Sequence, residues 1–301
     1  MTEPSATEPV VTEPIVTEPI VTTELLQAGP VEALAMLFDD GLPVPRVGDP
    51  LPPLWHWVAL PRWPVAGQTG PDGHPTHAVP AHPPGFPRRM FAGGTVRLLA
   101  PLLVGTEVRR EVRALSQTRK SGRQGEFMLA AVETRLIGAD GRPAVVEVQD
   151  IIYRPAVEPG VGAGPGTGDG LLAQAEPAAR PLEPGDGGAW RFQTDPRLLL
   201  RFSAATANGH RIHYDWPYAT QVEGYPGLVV HGPLMTLSLL ELARLVAPER
   251  PVRTVTHRNQ RPLFCGQPAR PSWTEAGDDL VLTLSTGDTA QAVEHTVVRI
   301  T

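Results

Sequence analysis

The spacing of apolar positions changes along this chain, and each change marks an element. Between residues 234 and 246, nine of thirteen positions are apolar, broken only by Thr236, Ser238, Glu241 and Arg244, and Pro248 follows. A run this long and dense predicts a helix enclosed by other structure. Pro233 suits its first turn, where the fixed φ is pre-organised and the missing N–H is not needed, with Gly232 as the cap. A shorter apolar run over 31–38, closed by Asp39-Asp40-Gly41, predicts another helix. Pro52-Pro53 can open a third, carrying Leu54, Trp55, Val58 and Leu60 inward.

From Gly94 to Arg154 the period drops to two. Residues 96–98, 108–112, 127–132 and 145–152 read as consecutive antiparallel strands, with turns at 120–122 and 138–141. Residues 252–256, 263–266, 280–284 and 293–300 repeat the pattern after the long helix, with a turn at 277–279. A helix followed by antiparallel strands thus occurs twice, the arrangement of an α+β chain in which each sheet needs a helix over its apolar face.

Three stretches have neither period. Residues 1–23 repeat Thr-Glu-Pro from Thr2, Thr7, Thr12 and Thr17, and should form a disordered tail whose removal changes nothing. Residues 65–87 are rich in proline and carry His74, His77 and His82; without a helical frame to set ligands on one face, a covering loop is expected there, not a metal site. Residues 155–188 centre on GVGAGPGTGDG and read as a linker, since no Lys-Ser/Thr supports a phosphate loop. The expected units are therefore the tail 1–23, an N-terminal unit 24–154, the linker 155–188 and a C-terminal unit 189–301.

Composition removes several function classes. A formal net charge of −6, with no basic run longer than two residues, argues against nucleic acid as a partner. Cys265 is the single cysteine, so an intramolecular disulfide is excluded and a cysteine zinc site disfavoured. Lys120 is the only lysine and sits in a polar turn, which disfavours Schiff-base chemistry. No apolar stretch reaches the roughly 20 residues of a membrane helix, so no membrane partner and a cytoplasmic location are expected.

Candidate chemistry concentrates between Phe202 and Leu245. Asn208, His210, His213 and Asp215 share one short segment, and His231-Gly232-Pro233 opens the apolar helix. A histidine titrates near neutral pH and both takes and returns protons. The free N–H groups at a helix start stabilise an anion or a developing oxyanion. Those are the two halves of an acid–base site.

The run Asn-Gly-His-Arg-Ile-His-Tyr-Asp at 208–215, with Gly-Tyr-Pro-Gly-Leu-Val-Val-His-Gly-Pro at 224–233, resembles the signature of MaoC-like hydratases, and most closely their type 2 hydroxyacyl-thioester dehydratase branch. Arg-Arg-Met-Phe-Ala-Gly-Gly at 88–94 and Gln-Asp-Ile-Ile-Tyr-Arg at 149–154 resemble the companion half of the same proteins, so the similarity spans about residues 49–300 without the linker. The general pattern of that family is Asp-x-Asn-Pro-Ile-His; here Asn208 stands at the Asp position and His210 at the Asn position, a form the branch shares.

The resemblance implies a double hotdog fold, the Trp55 helix at the centre of the first unit, and one active site per chain in the second. It implies a hydro-lyase that adds or removes water across an α,β-unsaturated acyl thioester. The substrate would be an enoyl-CoA, 3-hydroxyacyl-CoA or carrier-protein thioester, with dicarboxylic acyl groups of four or five carbons included. No cofactor and no metal are implied, and a homodimer is compatible. On this reading His213 moves the protons, Asn208 orients water or substrate, and Gly232 N–H holds the oxyanion. His210 and Asp215 brace the loop beside the substrate, Tyr225 and His231 line the pocket, and Arg88 and Arg89 meet the phosphates of the thiol arm. A hotdog thioesterase and a non-catalytic acyl-binding protein are the rival readings.

Overall fold

The computed structural model of the chain describes residues 12–13, 17–77, 79–122, 125–156, 180–287 and 291–301. Its frame is one ten-stranded antiparallel sheet made of two similar halves. In the first half, β3 (Arg88–Leu98), β4 (Glu107–Gly122), β5 (Gly125–Ile137) and β6 (Pro143–Arg154) lie in the order β4-β5-β6-β3. In the second, β9 (Thr254–Asn259), β10 (Arg270–Ala276), β11 (Asp279–Thr286) and β12 (Val293–Ile300) lie in the order β9-β12-β11-β10. Each half therefore pairs its first strand with its last, and the two first strands, β3 and β9, pair with each other. This repeat of topology without sequence identity is the double hotdog.

The junction requires two glycines. Gly93 and Gly94 of β3 face Arg258 and His257 of β9. A Cβ on Gly93 would stand 2.4 Å from His257 O, and one on Gly94 would stand 2.4 Å from Val148 O on β6. Only residues without a side chain let the strands approach this closely.

The long helix of the second half, α4 (Gly232–Val246), packs on β11 and β12, and every residue from Leu234 to Ala243 is buried. It begins one residue before the position expected from Pro233, so His231 occupies the cap. The first half differs from expectation. The helix proposed after Pro53 is reduced to α2 (His56–Ala59), a single turn, because Leu54 adopts φ +62 and cannot continue a right-handed helix. Trp55 is nonetheless pinned to the second half, its indole Nε1–H donating to Glu241 Oε1 on α4 at 2.5 Å. Val132, Thr134 and Gln149 of this half-sheet line a cavity beside the short helix.

Two further helices cover this end. α1 (Ala28–Phe38) buries Val31, Leu34, Leu37 and Phe38 and packs against α3 (Pro196–Ala205). α3 is capped by Asp195, whose Oδ1 accepts from Leu198 N–H at 2.8 Å, with Pro196 in its first turn. One cluster of buried side chains runs through both halves.

Boundaries moved in three places. β1 (Thr12–Glu13) and β2 (Ile20–Leu25) both pair with β4, so ordered pairing reaches into the segment expected to be a tail; residues 1–11 and 14–16 lie outside the described residues. Isoleucine, valine and threonine in β2 suit a pleated edge, and that local propensity outweighs the repeat's prolines. Residues 157–179, most of the expected linker, also lie outside, but its end forms β7 (Leu182–Pro184), paired with β8 (Trp190–Phe192). Residues 263–266 form no strand: Phe264 makes a lone bridge to Val229, and the strand of that region is β10. Deleting residues 1–25 removes eight paired positions on β4, six against β2 and two against β1, and should lower the melting temperature by several degrees, at about 2–4 °C per kcal/mol lost. An unchanged melting curve by circular dichroism would show that β2 contributes nothing.

Candidate active site

A cavity of about 690 Å³ opens where the two halves meet, lined from both of them. His213, Asn208, His210 and Gly232 line it from the second half, and Trp57, Arg88, Arg89, Phe91 and His74 from the first.

The segment after α3 places the histidines. Thr206 ends the helix, and Ala207 takes φ +52 to turn the chain. Asn208 Oδ1 then accepts from His210 N–H at 3.0 Å, closing an Asx turn. With its oxygen turned to that bond, the Asn208 side chain keeps two Nδ2–H donors without a partner among the described residues and able to serve the cavity it lines. A short 3-10 turn over Arg211–His213 follows. Asp215 lies outside the cavity lining, and its carboxylate accepts from Arg211 Nε at 2.9 Å and from Tyr218 N–H at 3.1 Å, bracing the loop.

His213 is 6 % exposed, and its Nδ1 lies 2.7 Å from Val229 O. A carbonyl only accepts, so Nδ1 carries the proton and Nε2 keeps a lone pair. Burial is the main cause that pushes the His213 pKa down to about 4, opposed by that hydrogen bond, so the ring is neutral at pH 7. His231 does not line the cavity. It lies behind His213, the rings stacked at 3.6 Å, and hydrogen-bonds Ser203 Oγ through Nε2 at 2.8 Å. Its burial, with His213 and His210 close by, holds it well below the usual histidine range. It acts as a neutral backing plate for His213.

Gly232 begins α4 beside this pair. A Cβ there would stand 2.6 Å from Asn259 Nδ2 and 3.3 Å from Phe91 Cδ1, so the absence of a side chain keeps the helix start close to its neighbours. Asn259 is itself fixed by Thr296 Oγ1, which donates to Oδ1 at 2.9 Å. Phe91 stacks on His257 at 5.2 Å and meets the edge of Trp57 at 5.8 Å. Asn259 does not stand out in the sequence and Phe91 appears there only as part of the motif at 88–94, because each acts by position on a strand.

Arg88 and Arg89 lie at the cavity wall. The Arg88 guanidinium donates from Nε to Glu223 Oε2 at 2.5 Å and from Nη2 to the Tyr225 hydroxyl at 3.4 Å, bringing Tyr225 into the same wall. The three loop histidines separate. His77 pairs with Thr76, His82 packs on Tyr153, and His74 lies tilted against His210 with ring centres 4.0 Å apart. The loop is thus a cavity wall, as its covering role requires, and no common site joins its three histidines.

The family model for hydroxyacyl-thioester dehydratase type 2 matches residues 54–265. Mesaconyl-C(4)-CoA hydratase of Chloroflexus aurantiacus is 42% identical over 254 residues, covering 84% of this chain and 85% of that one. Among solved structures, a MaoC-like dehydratase superposes with a TM-score of 0.62 at 13% identity, covering 97% of each chain. A Mycobacterium tuberculosis protein described as having a double hotdog fold superposes at 0.51 with 17% identity, covering 94% of this chain and 95% of that chain. At such identities the structural likeness concerns the fold, whereas the sequence match concerns descent. The family model spans most of the chain, including both the Trp55 segment and the His213 segment, and the chain belongs to the type 2 hydroxyacyl-thioester dehydratase family.

Proposed function

We propose that the chain performs its hydro-lyase reaction in the cavity at the junction, with His213 as the base that activates water against a 2-enoyl thioester. The observation that carries this reading is the convergence of a neutral, tautomer-fixed imidazole, an amide donor and a helix start on one cavity. His213 Nε2 takes a proton from water as its oxygen bonds to Cβ. Asn208 Nδ2–H holds that water or the substrate. Negative charge moves to the thioester oxygen, where Gly232 N–H and the start of α4 receive it. Dehydration runs the same steps backwards.

Arg88 and Arg89 suit the phosphates of CoA or of a carrier-protein arm, since guanidinium groups bind phosphate with paired donors. The space beside the short α2 receives the acyl group. A relative named for mesaconyl-C(4)-CoA, the thioester of a five-carbon dicarboxylic acid, favours substrates of that class, and Arg62, Arg110, Glu147 and Gln149 add polar groups to the cavity lining. We place the reaction in the cytoplasm and on a homodimer.

A panel of enoyl-CoA and 3-hydroxyacyl-CoA thioesters, dicarboxylic ones included, tests the assignment. Water exchange with retention of the thioester is expected, and release of free thiol would establish a thioesterase. Asn208→Asp adds a refinement. A carboxylate at 208 favours the charged imidazole and raises the His213 pKa. Activity that needs neutral His213 is lost as pH falls through that pKa, so the acid limb of kcat/KM should move to higher pH. An acid limb that stays in place would separate Asn208 from the proton-transfer step.

A further inference from the structure

The N-terminal half brings a carboxylate–imidazole pair to the cavity that the mechanism above leaves unused. Asp72 sits in a turn in which His74 N–H donates to Asp72 Oδ1 at 3.0 Å, while His74 Nδ1 lies 2.9 Å from Oδ2. The carboxylate accepts, so the His74 Nδ1 carries hydrogen and Nε2 is the remaining nitrogen of a ring that lines the cavity. The turn is clamped to the catalytic segment: Arg211 N–H donates to Asp72 O at 2.9 Å, and Arg211 Nη1 donates to Pro71 O at 3.0 Å. Gly73, at φ +91, lies so close that a Cβ would fall 1.8 Å from Gly209 O. The His74 ring then lies against His210, tilted by 38° with centres 4.0 Å apart, and His210 meets His213 edge to face at 5.5 Å. Asp72, His74 and His210 present side-chain atoms all within 4.8 Å of one another.

We propose that Asp72 and His74 form a second acid–base pair of this active site, with His74 exchanging the Cα proton and Asp72 positioning its ring. This deepens the hydro-lyase reading and rests on it. In hydration, the water O–H bond breaks with its proton going to His213 Nε2, and the oxygen bonds to Cβ. The π pair of the double bond moves through Cα into the thioester carbonyl, giving an enolate. The Cα–H bond then forms with the Nε2 proton of the His74 imidazolium, the form that Asp72 favours against burial and that is present only below the His74 pKa, and the enolate reverts to the thioester. Exchange with solvent returns one proton to His74 and removes one from His213.

The division of labour follows from the surroundings of the imidazoles. Burial pushes His74, His210, His213 and His231 all down, but only His74 has a carboxylate against it to favour the charged ring. Burial alone would raise the Asp72 pKa, yet its bonds from His74 hold it below the ordinary value. The other charged or titratable groups around His74 are His82 on its own loop, Arg89 on β3 and His210 on the catalytic segment; Arg89 and His82 oppose its charging.

Profiles of kcat/KM against pH on one responsive enoyl-CoA test the pair, with wild type, Asp72→Asn, Asp72→Glu and His74→Gln compared and melting temperatures recorded. An acid group works only while protonated, so activity falls as pH rises through its pKa. Asp72→Asn withdraws the negative charge and should move that basic limb to lower pH, while Asp72→Glu restores it. His74→Gln should lose about 10²-fold or more, the usual contribution of a positioned acid. If His74→Gln does not fold, the two Asp72 variants decide. A basic limb unmoved in Asp72→Asn, with activity lower at every pH, would overturn the proposal in favour of a packing role. Abolition of wild-type activity by a chelator, restored by zinc, would overturn it in favour of a metal site. A wild type inactive on every enoyl-CoA would remove the hydro-lyase reading and the pair's role with it.

Discussion

Replacing His213 with alanine is expected to lower kcat by about 10²–10⁴, the range a positioned acid or base supplies. Alanine also removes a ring stacked on His231 at 3.6 Å, so a loss of activity alone would not separate chemistry from packing. His213→Asn makes that separation. Its amide can still donate to Val229 O, which now accepts from His213 Nδ1 at 2.7 Å, but it cannot carry a proton through a catalytic cycle. The two variants should therefore lose comparable rate, with His213→Asn nearer to wild type in melting temperature. Stopped or steady-state kinetics with calorimetry on the same preparations would check both expectations. Wild-type turnover by His213→Asn would mean that the ring only fills space.

The second large effect is expected at the start of α4. Gly232→Val places a branched side chain where even a Cβ would stand 2.6 Å from Asn259 Nδ2. Asn259 is held by Thr296 and Phe91 by its stack on His257, so the helix start yields before they do. The oxyanion donor then moves off its target. Losing one such donor costs about 2.7–4 kcal/mol, or roughly 10²–10³ in kcat. Because the interaction strengthens only as charge develops on the thioester oxygen, kcat should fall far more than KM rises. A variant that keeps its kcat and loses only substrate affinity would place the oxyanion elsewhere.

Several parts of this site were legible in the amino-acid order because their signals are local. The enclosed helix announced itself through nine apolar positions in thirteen and a proline at its start, and His213 stood in a run with Asn208 and His210. The antiparallel strands showed through period two, although β3 began eight residues earlier than its alternation suggests, since Arg88 to Ala92 is half-covered at every position, Gly93 and Gly94 are both buried, and neither stretch alternates. What was not legible depends on contacts far apart in sequence. Residues 65–87 read as a covering loop with three histidines and no frame to fix them, yet Asp72 and His74 reach His210 across more than a hundred residues because two glycines, Gly73 and Gly209, let the backbones touch. His231 looked like a pocket residue beside Gly232, and only the stack on His213 shows it facing inward. Asp195 and Pro196, a capping residue followed by proline, were a readable helix start that the pattern of apolar positions alone passes over.

The central claim is that the junction cavity adds water to an enoyl thioester, and labelled water tests it most directly. The wild-type protein and His213→Asn would each be incubated with mesaconyl-C4-CoA and with a monocarboxylic enoyl-CoA in water enriched in heavy oxygen, and the products weighed by mass spectrometry. The predicted result is an intact CoA thioester that has gained one labelled water in the wild type and not in the variant. Labelled free acid with released CoA thiol, or unchanged substrate with every thioester, would contradict the account.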